Sequence, residues 1–229
     1  MRRASLWDPF NAEEGQKGRA PPPAPGPGDQ AQVCGGGQQR YPLSMPPLLR
    51  PATPTDAAFA APLIQATAGQ IGYALTGEGD GGDAARVIAA FFRQPDNRLS
   101  FGHTLILEEG GSPVGLAVAY PGNEARRLDE PFRARLRALG LPDRIDPEAS
   151  PGELYLDTLA VVPSARDRGL GGLLLGACLA HAAALGLPRL GLLTVPGGAA
   201  ERLYRRHGFA SGGVRQVAGE DYVHLVRPV

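Results

Sequence analysis

Residues 156–172 read Leu156-Asp157-Thr158-Leu159-Ala160-Val161-Val162-Pro163-Ser164-Ala165-Arg166-Asp167-Arg168-Gly169-Leu170-Gly171-Gly172. A β-compatible run from Glu153 to Val162 stops at a proline, and a short loop leads into a Gly-x-Gly that opens an apolar helical stretch, 169–185. A helix N-terminus presents unpaired N–H groups and a partial positive charge, so it suits a bound phosphate. Glycines at 169, 171 and 172 remove Cβ atoms that would hold a ligand off the backbone. Arg166 and Arg168 add charge-assisted donors for the same anion. The chemistry implied is a diphosphate cradled at the start of this helix.

Two other phosphate loops are excluded by spelling. The dinucleotide fingerprint Gly-x-Gly-x-x-Gly would need its third glycine where Leu174 stands. The nucleotide P-loop ends in Gly-Lys-Ser/Thr, and Lys17 is the chain's only lysine. What remains is Arg-x-x-Gly-x-Gly, met by Arg166, Gly169 and Gly171. Taken alone, the same pattern also fits a glycine-rich helix start needed for close packing.

Working outward, Leu48–Arg50 reads as a short strand, and Thr55 or Asp56 caps a helix through about Ala68. Gly69–Gly82 reads as a Gly-rich loop containing Tyr73, followed by a helix over about Asp83–Arg93. His103–Glu109 and Pro113–Tyr120 are apolar runs joined by Glu109-Gly110-Gly111-Ser112, a hairpin. Asp129–Leu139 is an Arg-rich surface helix closed by Gly140. Leu190–Val195 reads as a strand, Ala199–His207 as a helix, and Gly213–Val217 and Tyr222–Val226 as two further strands. Helices and strands alternate only in part, and the hairpins demand antiparallel neighbours. The class is α/β with a mixed sheet.

Of 229 residues, 23 are Lys or Arg and 23 Asp or Glu, so the formal charge is zero. That balance argues against nucleic-acid phosphates or an anionic membrane as partners, since both favour a basic excess. Residues 1–47 hold 9 of the 23 prolines and 7 of the 32 glycines, including Pro21–Pro23 and Gly35–Gly37. This stretch is expected to be a disordered tail, with the folded domain over 48–229. Met45 falls just before the first strand and is a candidate start alongside Met1. Cys34 and Cys178 form no disulfide framework, and a reduced, cytoplasmic setting is expected. The helix at 169–187 is nearly long enough to span a membrane, but its Gly and Ala content favours burial in a soluble domain.

Further along, Ala200-Glu201-Arg202-Leu203-Tyr204-Arg205-Arg206-His207-Gly208-Phe209 supplies the context that the glycine turn lacks. The "LAV-x-P" strand at 159–163, the Arg-x-x-Gly-x-Gly turn and the "A-x-x-LY-x-x-x-GF" helix end at 200–209 together resemble the GNAT-superfamily N-acetyltransferases. Arg50-Pro51-Ala52-Thr53 to Asp56 resembles the family's opening. The resemblance covers about 48–229. It implies a mixed, largely antiparallel central sheet with splayed parallel central strands and flanking helices.

The resemblance also implies roles. Acetyl-CoA, as co-substrate, would lay its diphosphate on Arg166, Asp167, Arg168, Gly169, Leu170, Gly171 and Gly172. Its pantetheine would pair with the strand at Leu159, Ala160 and Val161, and an amide near Val161 would face the oxyanion. Tyr204 matches the tyrosine beside the CoA sulfur; a phenol is protonated at neutral pH and can donate to the leaving thiolate. For the general base, strand alternation puts Glu153, Tyr155 and Asp157 on one face, and Leu154, Leu156 and Thr158 on the other. Carboxylates in an apolar strand make Asp157, then Glu153, the candidates, and a structural acid is the alternative for each. Relatives commonly carry Asn where this chain has Gly197.

The reaction expected is acetyl transfer to a primary amine by direct attack, with Cys178 excluded as nucleophile by its apolar helix. The alternative is an inactive acyl-CoA-binding sensor or interaction module. No metal is expected, because His103, His181, His207 and His224 are scattered. The arginines at 126, 127, 133, 135 and 137 are offset by Glu124, Asp129 and Glu130 and read as a solvated face. The acceptor, a small-molecule amine or a protein N-terminus, is shaped by 69–82 and 122–152, where Asp80, Asp83, Glu124 and Asp129 are candidates for attracting its charge. A monomer or a homodimer is compatible with the exposed C-terminal strand.

Overall fold

The computed structural model describes Trp7 and residues 46–229. Seven strands form one sheet: β1 (Leu48–Pro51), β2 (Thr104–Glu109), β3 (Ser112–Pro121), β4 (Leu154–Val161), β5 (Arg189–Thr194), β6 (Ala210–Val217) and β7 (Glu220–Pro228). Their spatial order is β1-β2-β3-β4-β5-β7-β6, and among the described residues every neighbouring pair is antiparallel except β4 and β5. The fold is therefore the mixed, largely antiparallel α/β sheet that the sequence implies.

Helices cover both faces. On one side lie α1 (Ala57–Ala68), α2 (Gln70–Thr76), α3 (Gly81–Phe92) and α5 (Glu130–Ala138), with the short α4 (Ala125–Leu128) leading into α5. Ile64, Ile88, Phe92 and Phe132 pack there against Ile106, Leu116 and Val118. On the other side α6 (Leu170–Ala184) sets Leu174, Leu175, Cys178 and Ala182 on Leu154, Leu156, Leu190 and Leu192. Helix α7 (Ala199–Arg206) joins this second core through Tyr204. No helix among the described residues is long and apolar enough to cross a membrane.

The sheet parts at its centre. β4 and β5 pair at Leu154↔Leu190 and Tyr155↔Gly191 and no further. Beyond that point β4 stays on β3 as far as Val161↔Gly115, and β5 stays on β7 as far as Thr194↔Val223. The junction is pinned by Glu153, which is fully buried and accepts from the Ser150 N–H at 2.7 Å. Its other oxygen lies 3.2 Å from His224 Nε2 on β7. A Cβ at Gly191 would sit 2.4 Å from that carboxylate, so the close approach requires glycine there.

Two local expectations differ from the structure. The segment read as a Gly-rich loop contains α2, bracketed by Gly69 and Gly77, both at positive φ (52° and 73°). Glycines ending both sides of a seven-residue helix mimic loop composition, while Ile71 and Leu75 bury as helix packing requires. Strict alternation along β4 also fails. Val118 pairs with Thr158 but Ala119 with Leu156, so Asp157 is a bulge residue. Leu154 and Leu156 before it, and Leu159 and Val161 after it, then all pack on the α6 side.

Trp7 belongs to the stretch that composition assigns to a disordered tail, and the rest of 1–45 lies outside the described residues. Trp7 itself is fully buried in the core under α6, its ring stacked on His181 with centroids 4.3 Å apart. Burial holds His181 neutral, pulled down to about 4. Trp7 is the chain's single tryptophan, so its emission should be blue-shifted and shielded from aqueous quenchers, and Trp7→Ala should destabilise the fold by roughly 3–5 kcal/mol. Emission and quenching like those of free indole, with unchanged stability, would place Trp7 in water.

Candidate active site

The loop from Pro163 turns at Asp167 (φ 61°) and Gly169 (φ 77°) before α6 begins. Among the described residues, the N–H groups of 167–171 reach no backbone or side-chain acceptor; the first bonds of the helix run from Gly172 and Leu173 to the Gly169 carbonyl. All of these residues except Arg168 border a cavity of about 710 Å³, whose lining also includes Leu159, Ala160, Val161, Arg166 and Gly172. A Cβ at Gly171 would meet Leu203 Cδ2 at 3.6 Å, an ordinary contact. Packing therefore does not demand glycine there, whereas bare backbone facing a cavity gives an anion access.

Arg166 and Arg168 part company. Arg166 lines the cavity and donates to the Val161 carbonyl at 3.1 Å. Arg168 is outside the lining and forms a two-pronged pair with Glu109, both contacts 2.8 Å. Arg206 and His207, at the end of α7, complete the wall. The sequence reading passed over both, although their place beside Tyr204 on a short helix marked them as neighbours of the turn.

A second cavity, about 230 Å³, opens where β4 and β5 part. It shares Thr67, Leu159, Ala199 and Ala200 with the first, so the two chambers meet at these four residues. Tyr204 lines this second chamber, and burial pushes its phenol above the ordinary value, keeping the proton on. Cys178 behind it is pushed up to about 12 by the same burial and stays a thiol.

The inner end of the second chamber is built on a buried charge cluster. Arg98, 2% exposed, gives Nε and Nη2 to Asp157 Oδ2 at 2.9 and 2.5 Å and Nη1 to Asp129 at 3.3 Å. Nη2 also lies 2.6 Å from Glu148 Oε1, an ion pair that ties this carboxylate to the same guanidinium. Tyr155 donates to the other Glu148 oxygen at 3.0 Å, and Thr158 and Tyr120 donate to Asp157 at 3.1 and 3.4 Å. Burial works against the Arg98 charge, but Asp157 and then Glu148 outweigh it and hold the guanidinium firmly charged. Burial raises Glu148 above the ordinary carboxylate value, and Arg98 offsets this only in part.

Of the three residues singled out for chemistry, Tyr204 and Asp157 line one chamber, while Glu153 is turned away to Ser150 and His224. Glu148 and Arg98 were missed: both sit in segments without helix or strand periodicity and carry no local motif. Of the acids expected to attract an amine, Asp129 is drawn into the cluster. Asp80 caps α3, Asp83 pairs with Arg86, and Glu124 pairs with Arg127. The surface arginines are engaged likewise, Arg135 with Glu78 and Arg137 with Glu130 and Asp143. The turn at Gly197 has φ 74°, a conformation suited to glycine, and its N–H donates to Glu201. Among the described residues no cluster of His, Cys, Asp and Glu is arranged to hold a metal ion.

Comparison with known proteins identifies the family. The profile of the acetyltransferase (GNAT) family matches residues 77–209, and the chain belongs to that family. A crystal structure described as an acetyltransferase superposes with a TM-score of 0.64 at 29% identity, over 80% of this chain and 99% of the other. An N-acetyltransferase from Staphylococcus aureus gives 0.65 at 20% identity, over 79% and 100%. No curated protein sequence matches the chain.

Removing Arg98 leaves buried carboxylates without their cation, so Arg98→Met should destabilise the fold by about 3–5 kcal/mol at neutral pH. The pH dependence has a definite sign. Glu148 is already raised in the folded chain, so its ionisation opposes folding as pH climbs through its folded value. Without Arg98 that effect grows, and the variant should regain stability relative to wild type as pH falls toward the ordinary carboxylate range. Denaturant melts across pH check this; a deficit independent of pH would mean that the cluster is not ionised as described.

Proposed function

We propose that the chain transfers an acetyl group from acetyl-CoA to a primary amine by direct attack. The observation that carries this reading is the junction of the two chambers at Thr67, Leu159, Ala199 and Ala200, in the gap between β4 and β5. The amides of 166–172 with Arg166 would take the diphosphate, and Arg206 and His207 lie on the same wall. The edge of β4 at Leu159, Ala160 and Val161 would pair with the extended pantetheine as an added strand does. Arg168, engaged with Glu109, would contribute charge near the cradle but no direct contact.

The acceptor reaches the site as an ammonium and must lose a proton to expose its lone pair. Glu148 is assigned that proton: it lines the acceptor chamber and its carboxyl is raised by burial. Asp157 holds Arg98 in place beside it and is assigned a positioning role. Glu153, the other acid weighed from sequence, serves the β4–β5 junction. The nitrogen attacks the thioester carbonyl carbon, the C–S bond breaks, and Tyr204 protonates the departing thiolate. The nitrogen releases its second proton as the amide forms, so each turnover yields amide, free thiol and one proton.

Thiol release measured with acetyl-CoA and a panel of amines tests the reading. Tyr204→Phe and Glu148→Gln should each lower kcat on the order of 10²-fold or more while acetyl-CoA still binds. The rate of wild type should rise with pH through a carboxylate step above the ordinary value, and Glu148→Gln should lack that step. Unchanged rates in both variants would overturn the assigned roles. Acetyl-CoA binding without thiol release on any amine would favour an acyl-CoA sensor.

A further inference from the structure

The charge balance of the acceptor chamber deepens the acetyltransferase reading, on which it rests. We propose that the acceptor is a small primary amine whose ammonium is its single ionic group and whose body is alkyl or aryl, and that amines bearing a carboxylate are rejected.

The charged side chains lining the chamber are Glu148 and Asp157, and among the described residues no Arg, Lys or His joins them. Arg98 stands behind both carboxylates, 2% exposed, and serves Asp129 as well. One guanidinium thus answers two cavity-facing carboxylates, leaving the chamber short of one positive charge. The other cations nearby are committed elsewhere. Arg133, which faces Asp129, donates to the carbonyls of Asp143 and Ile145. Arg215 is directed at the Glu148 carbonyl, Ser150 and His224. Arg144 borders a smaller adjoining cavity and is exposed and paired with Asp146.

Glu148 is 5% exposed, and its Oε1 shares Arg98 Nη2 at 2.6 Å with Asp157. An ammonium in the chamber supplies the missing charge. A carboxylate on the same ligand would lie in a low-dielectric space beside two acids and no available cation, which is strongly unfavourable. Ile71, Leu75, Leu99, Leu193 and Tyr222 offer the remaining wall to an apolar body. At about 230 Å³ the chamber is smaller than sites that take drug-sized ligands, which sets the size of the acceptor.

Matched pairs differing by one carboxylate test this: phenethylamine against phenylalanine and isobutylamine against valine, with a short peptide bearing a free N-terminus as third class. Thiol release by the full chain at saturating acetyl-CoA should give the simple amine of each pair a kcat/KM about 100-fold or more above its amino acid. Leu193→Arg, which adds a cation to the wall and touches no assigned catalytic group, should shrink that ratio at least tenfold. Equal or better turnover of the amino acids or the peptide would overturn the proposal and leave acetyl transfer standing. So would acetyl-CoA binding with no turnover or binding of either simple amine. Failure to bind acetyl-CoA would instead remove the acetyltransferase reading itself.

Discussion

The parting of β4 from β5 is the constraint on which the rest of the molecule depends. Each strand stays hydrogen-bonded on its outer side, β4 to β3 and β5 to β7, while the inner edges diverge after Tyr155↔Gly191. An internal strand edge without a partner is costly in a closed core and useful where a ligand supplies the missing ladder. The divergence is fixed from below by Glu153, wedged against the bare backbone of Gly191 and linked to β7 through His224. From above, α7 brings Ala199, Ala200 and Tyr204 to the mouth of the gap. A side chain at 191 would displace the Glu153 carboxylate and disturb the junction itself.

The buried cluster around Arg98 is the second expense of this design. Four ionisable groups from a turn, a helix start, a loop and a strand bulge converge at 98, 129, 148 and 157. Burying an ion pair is at best weakly stabilising against an apolar substitute, so stability alone is a poor reason for it. Its effect is to hold Asp157 saturated with donors while Glu148, shared between Arg98 and Tyr155, keeps a raised carboxyl at the chamber. Two carboxylates of one cluster thereby acquire different environments, which the proposed roles of positioning acid and proton acceptor require.

Legibility in the sequence followed the range of each interaction. The strand–turn–helix from 156 to 172 and the helix carrying Tyr204 are contiguous patterns, and both sit where their spelling implies. The hairpin at Gly110-Gly111 and the order of the C-terminal elements were equally local. What escaped was assembled across the chain. Arg98 and Glu148 lie fifty residues apart in irregular segments, so no period or spacing pointed to their meeting. The Asp157 bulge is invisible to a rule of alternation, and it moves the following residues to the face that parity denies them. Trp7 was unreadable for a different reason: its neighbours have the composition of a tail, and its burial depends on a complementary site under α6.

The central claim is that the β4 edge and the amides before α6 together form one acyl-CoA cradle. Amide hydrogen exchange of the full chain, with and without CoA, tests it most directly. Added CoA should slow exchange at Leu159, Val161 and residues 166–171, with smaller changes at the start of α7 and none along β6. Protection confined to another surface, or unchanged exchange throughout 159–171 at saturating CoA, would contradict the account.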